Sequence, residues 1–202
     1  MKYTGPKVRL SRRLGHALTP RAAKVMDKHG TPPGQHGGSH QRGRAKMSDY
    51  KRQLIQKQLL RAQYNVHERQ LSNYYKKATK KSGNMIDNFV AMLETRLDAV
   101  VNRGGLTRTI YAARQVVSHG HIQVNGKRVN IASFNVKIGD VVSVREKSRK
   151  IQLFWDSVKP AQPPEYLELS KPELTVELKA LPIRDEVPII CEVPRVIEYY
   201  SR

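Results

Sequence analysis

The feature that most constrains the fold is an unbroken helical periodicity over residues 86–101. Its apolar residues recur at intervals of three and four, at Ile86, Phe89, Val90, Leu93, Leu97, Val100 and Val101. This spacing places them on one face of an amphipathic helix, which must pack that face against other elements. Asn84 can cap the helix and Gly104 ends it. We expect one helix here, with Arg96 and Asp98 on its outward-facing side.

A second helix and a hairpin follow directly. Thr107 can cap the second helix, Gly120 ends it, and its buried face would hold Ile110, Ala113, Val116 and Val117. Asn125-Gly126 then separates two short alternating runs, which is the strongest local signal for a hairpin with a type I′ turn. A further strand is expected from Asp140 to Val144. The sequence therefore predicts a helix-helix-hairpin module over residues 91–157.

The rest of the chain carries weaker signals. Ser48 can cap a helix that runs to about Gln63, and another helix follows from Asn65 to about Lys81. Residues 1–47 are rich in Gly, Pro, Arg, Lys and His without periodicity, which predicts an extended arm that a partner orders. Prolines recur from residue 160 onward, where runs at 174–178 and 187–190 could form edge strands or extended pieces.

Basic residues outnumber acidic ones by 37 to 17, and the excess is uneven. Residues 1–90 carry 20 basic and 4 acidic side chains, residues 91–158 carry 11 and 5, and residues 159–202 carry 6 and 8. A net charge of +20 causes self-repulsion that a polyanion relieves, and phosphate backbones are the commonest polyanions. This balance indicates a nucleic-acid partner held mainly by the first half of the chain.

Cations border both the second module helix and the hairpin. A helix and a turn edged with cations form a groove that can follow a phosphate backbone, while hydroxyl and imidazole donors beside it sense RNA shape. The candidate contacts in the module are Arg96, Arg108, Arg114, Ser118, His119, His121, Asn125, Lys127 and Arg128. The alternative interpretation is that these are ordinary solvated charges on a small domain, and the lopsided charge argues against it.

The arm and the first helices offer a second group of contacts. Guanidinium groups bind phosphates through two parallel hydrogen bonds and stack on bases, and tyrosine rings can stack on bases too. The candidates are Arg9, Arg12, Arg13, Arg42, Arg44, Lys46, Tyr50, Lys51, Arg52, Arg61 and Arg69. Solubilising charge is the alternative role for the cations in this group.

Other classes of function lack their residues. His29, His36 and His40 have no cysteine and few carboxylates near them, so neither a metal nor another cofactor is expected. Cys191 lies in an apolar run that favours a buried packing residue over a nucleophile, and a single cysteine permits no internal disulfide. No phosphate-binding loop appears, and no apolar run approaches the ~20 residues of a membrane span. We expect neither an enzyme with a small-molecule substrate nor a membrane protein.

Long segments of the module carry a resemblance to a known family. Residues 94–101 (ETRLDAVV), 113–130 (ARQVVSHGHIQVNGKRVN) and 139–148 (GDVVSVREKS) resemble the RNA-binding module named after small-subunit ribosomal protein four. That module also occurs in pseudouridine synthases and tyrosyl-tRNA synthetases, so the flanks decide between them. Residues 3–7, 10–15, 32–37, 48–50 and 196–202 resemble the ribosomal family in the same order along the chain.

The resemblance implies an α+β fold. It consists of a mostly helical N-terminal domain with an extended basic arm, and an inserted helix-helix-hairpin RNA-binding module with a short antiparallel sheet. The implied division is the arm at 1–47, a helical domain at 48–90 completed by about 190–202, the module at 91–157, and a proline-rich segment at 158–202. The absence of cysteine before Cys191 matches the zinc-free members of the family.

The resemblance also implies a function and partners. The chain would be a non-catalytic constituent of the small ribosomal subunit, in the cytoplasm or in an organelle, that binds the five-prime domain of small-subunit rRNA early in assembly. It would contact ribosomal protein five at an interface linked to decoding accuracy and lie near the mRNA entry channel, and some relatives repress their own translation. The alternatives are an RNA-modifying enzyme that uses the module for targeting and a free RNA chaperone or repressor.

Overall fold

The computed structural model describes residues 3–35, 37 and 47–202. The chain divides into two compact units. The terminal unit comprises Met1–Tyr75 together with Ile189–Arg202, and the central unit comprises Lys76–Pro188. The predicted division into arm, helical domain, module and proline-rich segment has other boundaries and remains a prediction.

The described residues form nine α-helices and five β-strands. The helices are α1 (Lys7–Leu14), α2 (Pro20–Lys28), α3 (Asp49–Gln63), α4 (Glu68–Thr79), α5 (Met85–Glu94), α6 (Leu97–Arg103), α7 (Ile110–Ser118), α8 (Gln152–Val158) and α9 (Val193–Ser201). The strands are β1 (Ile122–Val124), β2 (Lys127–Arg128), β3 (Val141–Val144), β4 (Leu167–Ser170) and β5 (Thr175–Leu178). This mixture of helices and one small antiparallel sheet confirms the α+β fold.

In the terminal unit, α3 packs along the C-terminal helix α9. The apolar stripe of α3 is thin because glutamines on the same face bind this C-terminal segment. Gln53 donates to the Glu198 carboxylate over 3.0 Å, and the side-chain oxygen of Gln63 accepts from the backbone N–H of Ile190 over 3.2 Å. These two hydrogen bonds join α3 to the C-terminal segment.

The N-terminal arm is more ordered than its composition suggests. The expectation of an extended chain over residues 1–47 is wrong for α1 and α2. Gly15 ends α1 in the left-handed region at φ +76°, and the Thr19 side chain caps α2 by accepting from the N–H of Ala22. Thr19 also stands directly before Pro20, which suits the first helical position. The sequence signals for the end of α1 and the start of α2 were therefore present, although this stretch lacks apolar periodicity.

The long helix expected over residues 86–101 is two helices, and the expectation of one is wrong. α5 ends at Glu94 and α6 begins at Leu97, with Arg96 extended between them. The break is held by a distant loop. The N–H of Leu97 donates to the carbonyl of Phe134 over 2.8 Å, and the N–H of Val136 donates to the carbonyl of Thr95 over 2.8 Å. At the break, hydrogen bonds to this loop satisfy backbone groups that helical hydrogen bonds would otherwise satisfy. The apolar residues keep their helical spacing on both sides of the break.

The following helix also begins later than predicted. Thr109, rather than Thr107, caps α7 by accepting from the N–H of Ala112 over 3.2 Å. The buried face of α7 is the predicted one, and α7 packs on α6.

The predicted hairpin is confirmed. Asn125 and Gly126 have φ values of 48° and 77°, the two positive values that a type I′ turn requires. β1 pairs with β2 with Val124 opposite Lys127, and on its other side β1 pairs with β3, the strand expected near residues 140–144.

The sheet extends beyond the predicted module. Its strand order is β2-β1-β3-β5-β4, so the proline-rich segment adds two strands. The run at 174–178 becomes β5, which lies between two strands rather than at an edge, and the run at 187–190 is not a strand. Val142 and Val176 lie opposite each other in the register of β3 and β5, and both are fully buried in the core of the central unit.

Candidate nucleic-acid interface

The end of α7 is shaped by Gly120. This glycine has φ +73°, a left-handed conformation that side chains other than glycine rarely adopt. Its N–H donates to the carbonyl of Val117 over 2.8 Å, and the next N–H, of His121, donates to Val116 over 3.0 Å. These bonds satisfy the last carbonyls of the helix and turn the chain into β1.

Two arginines from different strands meet at this glycine. A Cβ added to Gly120 would overlap with the guanidinium of Arg128, so that group lies directly against the glycine. Arg145, which follows β3, donates from Nη1 to the Gly120 carbonyl over 3.2 Å. The hairpin and the third strand therefore bring two guanidinium groups to one turn.

Two histidines flank the same turn. The rings of His119 and His121 are 6.0 Å apart, and Nδ1 of His121 lies 2.9 Å from the hydroxyl oxygen of Ser148. Burial lowers the pKa of His121, and the nearby charges of His119, Arg145 and Arg128 lower it further. We call His119, His121, Arg128, Arg145 and Ser148 the Gly120 cluster.

The side chain of Asn125 forms hydrogen bonds that hold the hairpin against the start of β3. Its side-chain N–H donates to the Asp140 carboxylate over 2.8 Å, while its side-chain oxygen accepts from the N–H of Val141 over 2.9 Å. Asp140 also accepts from the N–H of Lys137 over 2.8 Å. Because the amide is used on both sides, Asn125 fixes the turn that carries the exposed Lys127.

The expectation that Arg96 and Asp98 face outward is wrong. Only 1% of the Arg96 side chain and none of the Asp98 side chain is exposed. Nη2 of Arg96 donates to the Asp98 carboxylate over 2.6 Å, and Nη1 of Arg114 lies 3.7 Å from the same carboxylate. Burial raises the pKa of Asp98, and the two arginines oppose that rise. Arg96 fixes the break between α5 and α6 and is not available to a partner.

The other predicted contacts of the module are more accessible. Arg108 is exposed and donates to the backbone carbonyl of Asp156 at the end of α8 over 2.9 Å. Arg114 is partly exposed, and Ser118 and His119 are exposed at the end of α7. Three of the nine predicted positions lie together with Arg145 at the turn, namely His119, His121 and Arg128, while Ser118 is the last residue of α7.

A basic run after β3 was missed at the sequence level. Arg145, Lys147, Arg149 and Lys150 follow that strand within six positions. Arg149 donates from Nε to the carbonyl of Val144 over 3.4 Å, and Lys147 and Lys150 are exposed. The local density of cations was a usable signal, but the density alone does not show that only Arg145 reaches Gly120.

Most predicted contacts of the terminal unit lie on its surface. Arg9, Arg13, Tyr50, Lys51, Arg52 and Arg69 are exposed, whereas Arg12 and Arg61 are partly buried. Arg13 and Lys51 line a groove of 500 Å³ between α1 and α3. Arg42, Arg44 and Lys46 lie outside the described residues, as do His36 and His40.

Two of these cations are already paired with carboxylates. Arg52 lies 3.6 Å from Asp49, and Arg61 lies 3.6 Å from Glu68. Lys57 is almost fully buried, donates to Glu68 over 2.9 Å and lies 4.2 Å from the centre of the Tyr199 ring. The ring of Tyr50 is half exposed and lies 5.8 Å from that of Tyr199. These contacts tie α3 to the C-terminal helix.

The described residues also bear on metal binding, membrane insertion and the role of Cys191. No three His, Cys, Asp or Glu side chains lie together as metal ligands would within residues 3–35, 37 and 47–202. No helix in that part of the chain is both long and apolar enough to cross a membrane. Cys191 is buried, as a packing residue would be. The arrangement that stands out is a surface rich in guanidinium, imidazole and hydroxyl donors, which suits phosphate groups.

Comparisons with known proteins agree along the whole chain. A family described as ribosomal protein S4/S9 N-terminal domain matches residues 2–94, and a family described as S4 domain matches residues 95–142. The small ribosomal subunit protein uS4 of Streptomyces avermitilis is 48% identical over 202 residues, which cover 98% of this chain and 97% of that protein. The uS4 proteins of Thermobifida fusca and Listeria monocytogenes are 45% and 44% identical, and each match covers 100% of this chain and at least 99% of the relative.

Proposed function

The chain belongs to the ribosomal protein S4 family, and from that premise we propose that it binds small-subunit rRNA directly as a structural component of the cytoplasmic ribosome. It is not an enzyme. The relatives' name supports the place in the small subunit, and the S4 domain supports RNA binding. Among the structural observations, the Gly120 cluster carries the proposal, because it brings two guanidinium groups and two imidazoles to one turn.

The proposed contacts comprise the predicted surface cations and their neighbours. In the central unit they are Arg108, Arg114, Ser118, His119, His121, Lys127 and Arg128, with Asn125 acting through the turn it fixes. In the terminal unit they are Arg9, Arg12, Arg13, Tyr50, Lys51, Arg52, Arg61 and Arg69, and Arg42, Arg44 and Lys46 complete the set outside the described residues. Arg96 is left out because it is buried and bound to Asp98.

The finer role follows from the family resemblance. The rRNA site would be the helix junction of the five-prime domain, bound early in assembly, and this would help to nucleate the body of the subunit. Ribosomal protein five and mRNA near the entry channel are the proposed further partners, with a contribution to translational accuracy. Repression of its own translation is a related proposal, since it would use the same RNA-binding surface.

Binding of the full-length protein to a five-prime-domain rRNA transcript tests the central claim. Phosphate contacts release counterions, so affinity should fall by about 10³-fold or more between about 50 and about 200 mM salt. The protein should also sediment with small subunits in a native extract. A flat salt response would remove the electrostatic basis of binding, and absence from the subunit fraction would favour a free chaperone or repressor.

A paired substitution tests the hairpin. Lys127→Ala combined with Arg128→Ala should weaken rRNA binding without unfolding the protein, because both side chains are exposed. Lys159→Ala combined with Lys171→Ala is the matched control, since it removes the same charge from two other exposed positions of the central unit. Equal affinities for the two double variants would exclude the hairpin from the site.

A further inference from the structure

The two arginines at Gly120 differ in what surrounds them from the arginines of this protein that pair with carboxylates. Arg52, Arg61, Arg96, Arg103 and Arg114 each lie within ion-pair distance of a carboxylate. Within the described ranges, neither Arg128 nor Arg145 forms such a pair. A guanidinium without a counter-ion in its own fold can accept one from a partner at no loss of an internal ion pair.

The charges that face His121 have the same sign. The charged groups that act on it are His119 at the end of α7, Arg145 after β3 and Arg128 on β2, and each of them lowers its pKa. The ring also lies against Ser148 and, with an edge-on contact of 6.5 Å between centroids, against Phe154. Several like charges held at one turn repel one another, and an anion bound among them would relieve that repulsion.

The fold fixes these groups in place. Arg145 is anchored through Nη1 to the Gly120 carbonyl, and Arg128 lies against the same glycine, so both guanidinium groups share a floor. Arg145 keeps four further N–H donors, because a guanidinium has five. Phosphate groups are bound well by paired guanidinium forks, which match the geometry of the oxygens.

We propose that Arg128 and Arg145 form a two-guanidinium pocket for a single phosphate of the RNA backbone, and that His121 behind them makes this pocket bind more tightly as the pH falls. The proposal rests on the rRNA-binding function and adds Arg145 and a pH dependence to it. The pocket takes a backbone phosphate, so it positions the RNA and does not read its sequence.

The sign of the pH effect follows from the charges. Burial and the neighbouring guanidinium groups keep His121 mostly neutral near pH 7, since its pKa lies below the ordinary value. A bound phosphodiester, which carries one negative charge, would favour the protonated ring and raise that pKa. Affinity therefore rises as the pH falls through the pKa of the bound state, and levels off below the pKa of the free protein.

Salt dependence of binding tests the pocket. Full-length Arg145→Met is titrated with a five-prime-domain rRNA transcript at several salt concentrations, with Arg149→Met as the matched control four residues away. Loss of one phosphate contact should lower affinity about tenfold and reduce the slope of log affinity against log salt by about 0.7 to 0.9. A merely structural role of Arg145 would change affinity with the slope intact, and that outcome, like an Arg145→Met protein that behaves as wild type, overturns the pocket.

Arg145→Lys guards against a folding defect, which circular dichroism would detect in Arg145→Met. Lysine keeps the charge but loses the fork, so the slope should remain near the wild-type value while affinity falls severalfold. Wild-type affinity for Arg145→Lys would overturn the two-guanidinium geometry. If the wild-type protein itself fails to bind rRNA, the proposed function fails, whereas wild-type binding with an unchanged Arg145→Met slope refutes the pocket alone.

The pH part has its own variant. His121→Asn keeps a side-chain amide near the Ser148 hydroxyl but cannot be protonated in this range. Wild-type affinity should rise severalfold between about pH 8 and about pH 5.5, and His121→Asn should lose most of that rise, while His119→Asn loses less because its ring is exposed. If His121→Asn retains the full pH dependence, His121 is not the coupled group.

Discussion

Two sites in the central unit each involve two arginines, but the arginines have opposite roles at the two sites. At the break between α5 and α6, Arg96 is bound to the buried carboxylate of Asp98 over 2.6 Å, and Arg103 reaches from the end of α6 to that of Glu94 over 2.9 Å. At Gly120, the Arg128 guanidinium lies against the glycine, Arg145 binds the glycine carbonyl, and the charges of both lower the pKa of His121. The position of the carboxylates, rather than of the arginines, therefore separates cations that hold the fold from cations that are open to a partner.

Removing the buried arginine should have the largest effect. Arg96→Leu leaves the buried Asp98 carboxylate with Arg114 at 3.7 Å and the N–H of Ala99 at 3.1 Å, and should lower the free energy of unfolding by about 3 kcal/mol. Thermal or denaturant unfolding measures this change. Arg52→Leu is the matched control, because its pair with Asp49 is largely exposed and should contribute less than about 1 kcal/mol.

The double variant Arg96→Leu with Asp98→Leu sharpens the same prediction. It removes both charges, so it should recover part of the lost stability even though two polar groups are gone. If Arg96→Leu lowers the free energy of unfolding no more than Arg52→Leu does, the pair at the helix break does not stabilise the fold. The contrast with the arginines at Gly120 then disappears.

An intermediate effect is expected at Gly120 itself. Gly120→Ala forces an alanine into φ +73° and displaces the Arg128 guanidinium, so it should cost about 1 to 2 kcal/mol of stability and also weaken rRNA binding. Gly139→Ala is a close control, since its φ is +83° and no atom lies within 4 Å of the added Cβ. Stability and rRNA affinity are measured for both variants.

The two glycine variants separate backbone strain from loss of the site. Both should lose similar stability, while Gly120→Ala alone should lose rRNA affinity. Equal rRNA affinity for the two proteins would show that the position of Arg128 over Gly120 has no part in binding. The arginines at Gly120 would then not be the ones that are open to a partner.

The hairpin of this chain was predictable, and the break between α5 and α6 was not. The hairpin follows from Asn125-Gly126 alone, because a type I′ turn needs two residues that tolerate positive φ. The break at Thr95–Arg96 depends on backbone bonds to Phe134 and Val136, which lie almost forty positions away in the chain. Apolar periodicity could not reveal the break, since α5 and α6 together bury the apolar residues that one continuous helix would bury.

The candidate site divides in the same way. His119, His121 and Arg128 were predictable because they stand beside a helix end and a hairpin turn. Arg145 was not, because Lys147, Arg149 and Lys150 beside it have the same charge, and only the register of β3 shows which of them reaches Gly120. Arg96 was misplaced for the converse reason: its partner Asp98 is two residues away, a spacing that on a continuous helix would separate them.

The smallest expected effect lies in the terminal unit, at a half-exposed counterpart of the Arg96–Asp98 pair. Burial acts to raise the pKa of Glu68, but hydrogen bonds from Lys57 and Tyr200 and the charges of Lys57 and Arg61 hold it below its ordinary value. The stabilisation is therefore present above the ordinary glutamate pKa and is lost as the pH falls through the lowered one. Because 41% of the Glu68 side chain is exposed, solvent screening limits the contribution to under about 1 kcal/mol.

Glu68→Gln measures this contribution directly. At pH 7 it should lower the free energy of unfolding by less than about 1 kcal/mol, and the difference from wild type should shrink as the pH is lowered below about 4. Glu192→Gln, which removes a more exposed carboxylate paired with Arg195, is the control and should cost less at every pH. A loss at Glu68 as large as that of Arg96→Leu would mean that exposure does not weaken these pairs, and burial could then not be the property that distinguishes the arginines of the helix break from those at the surface.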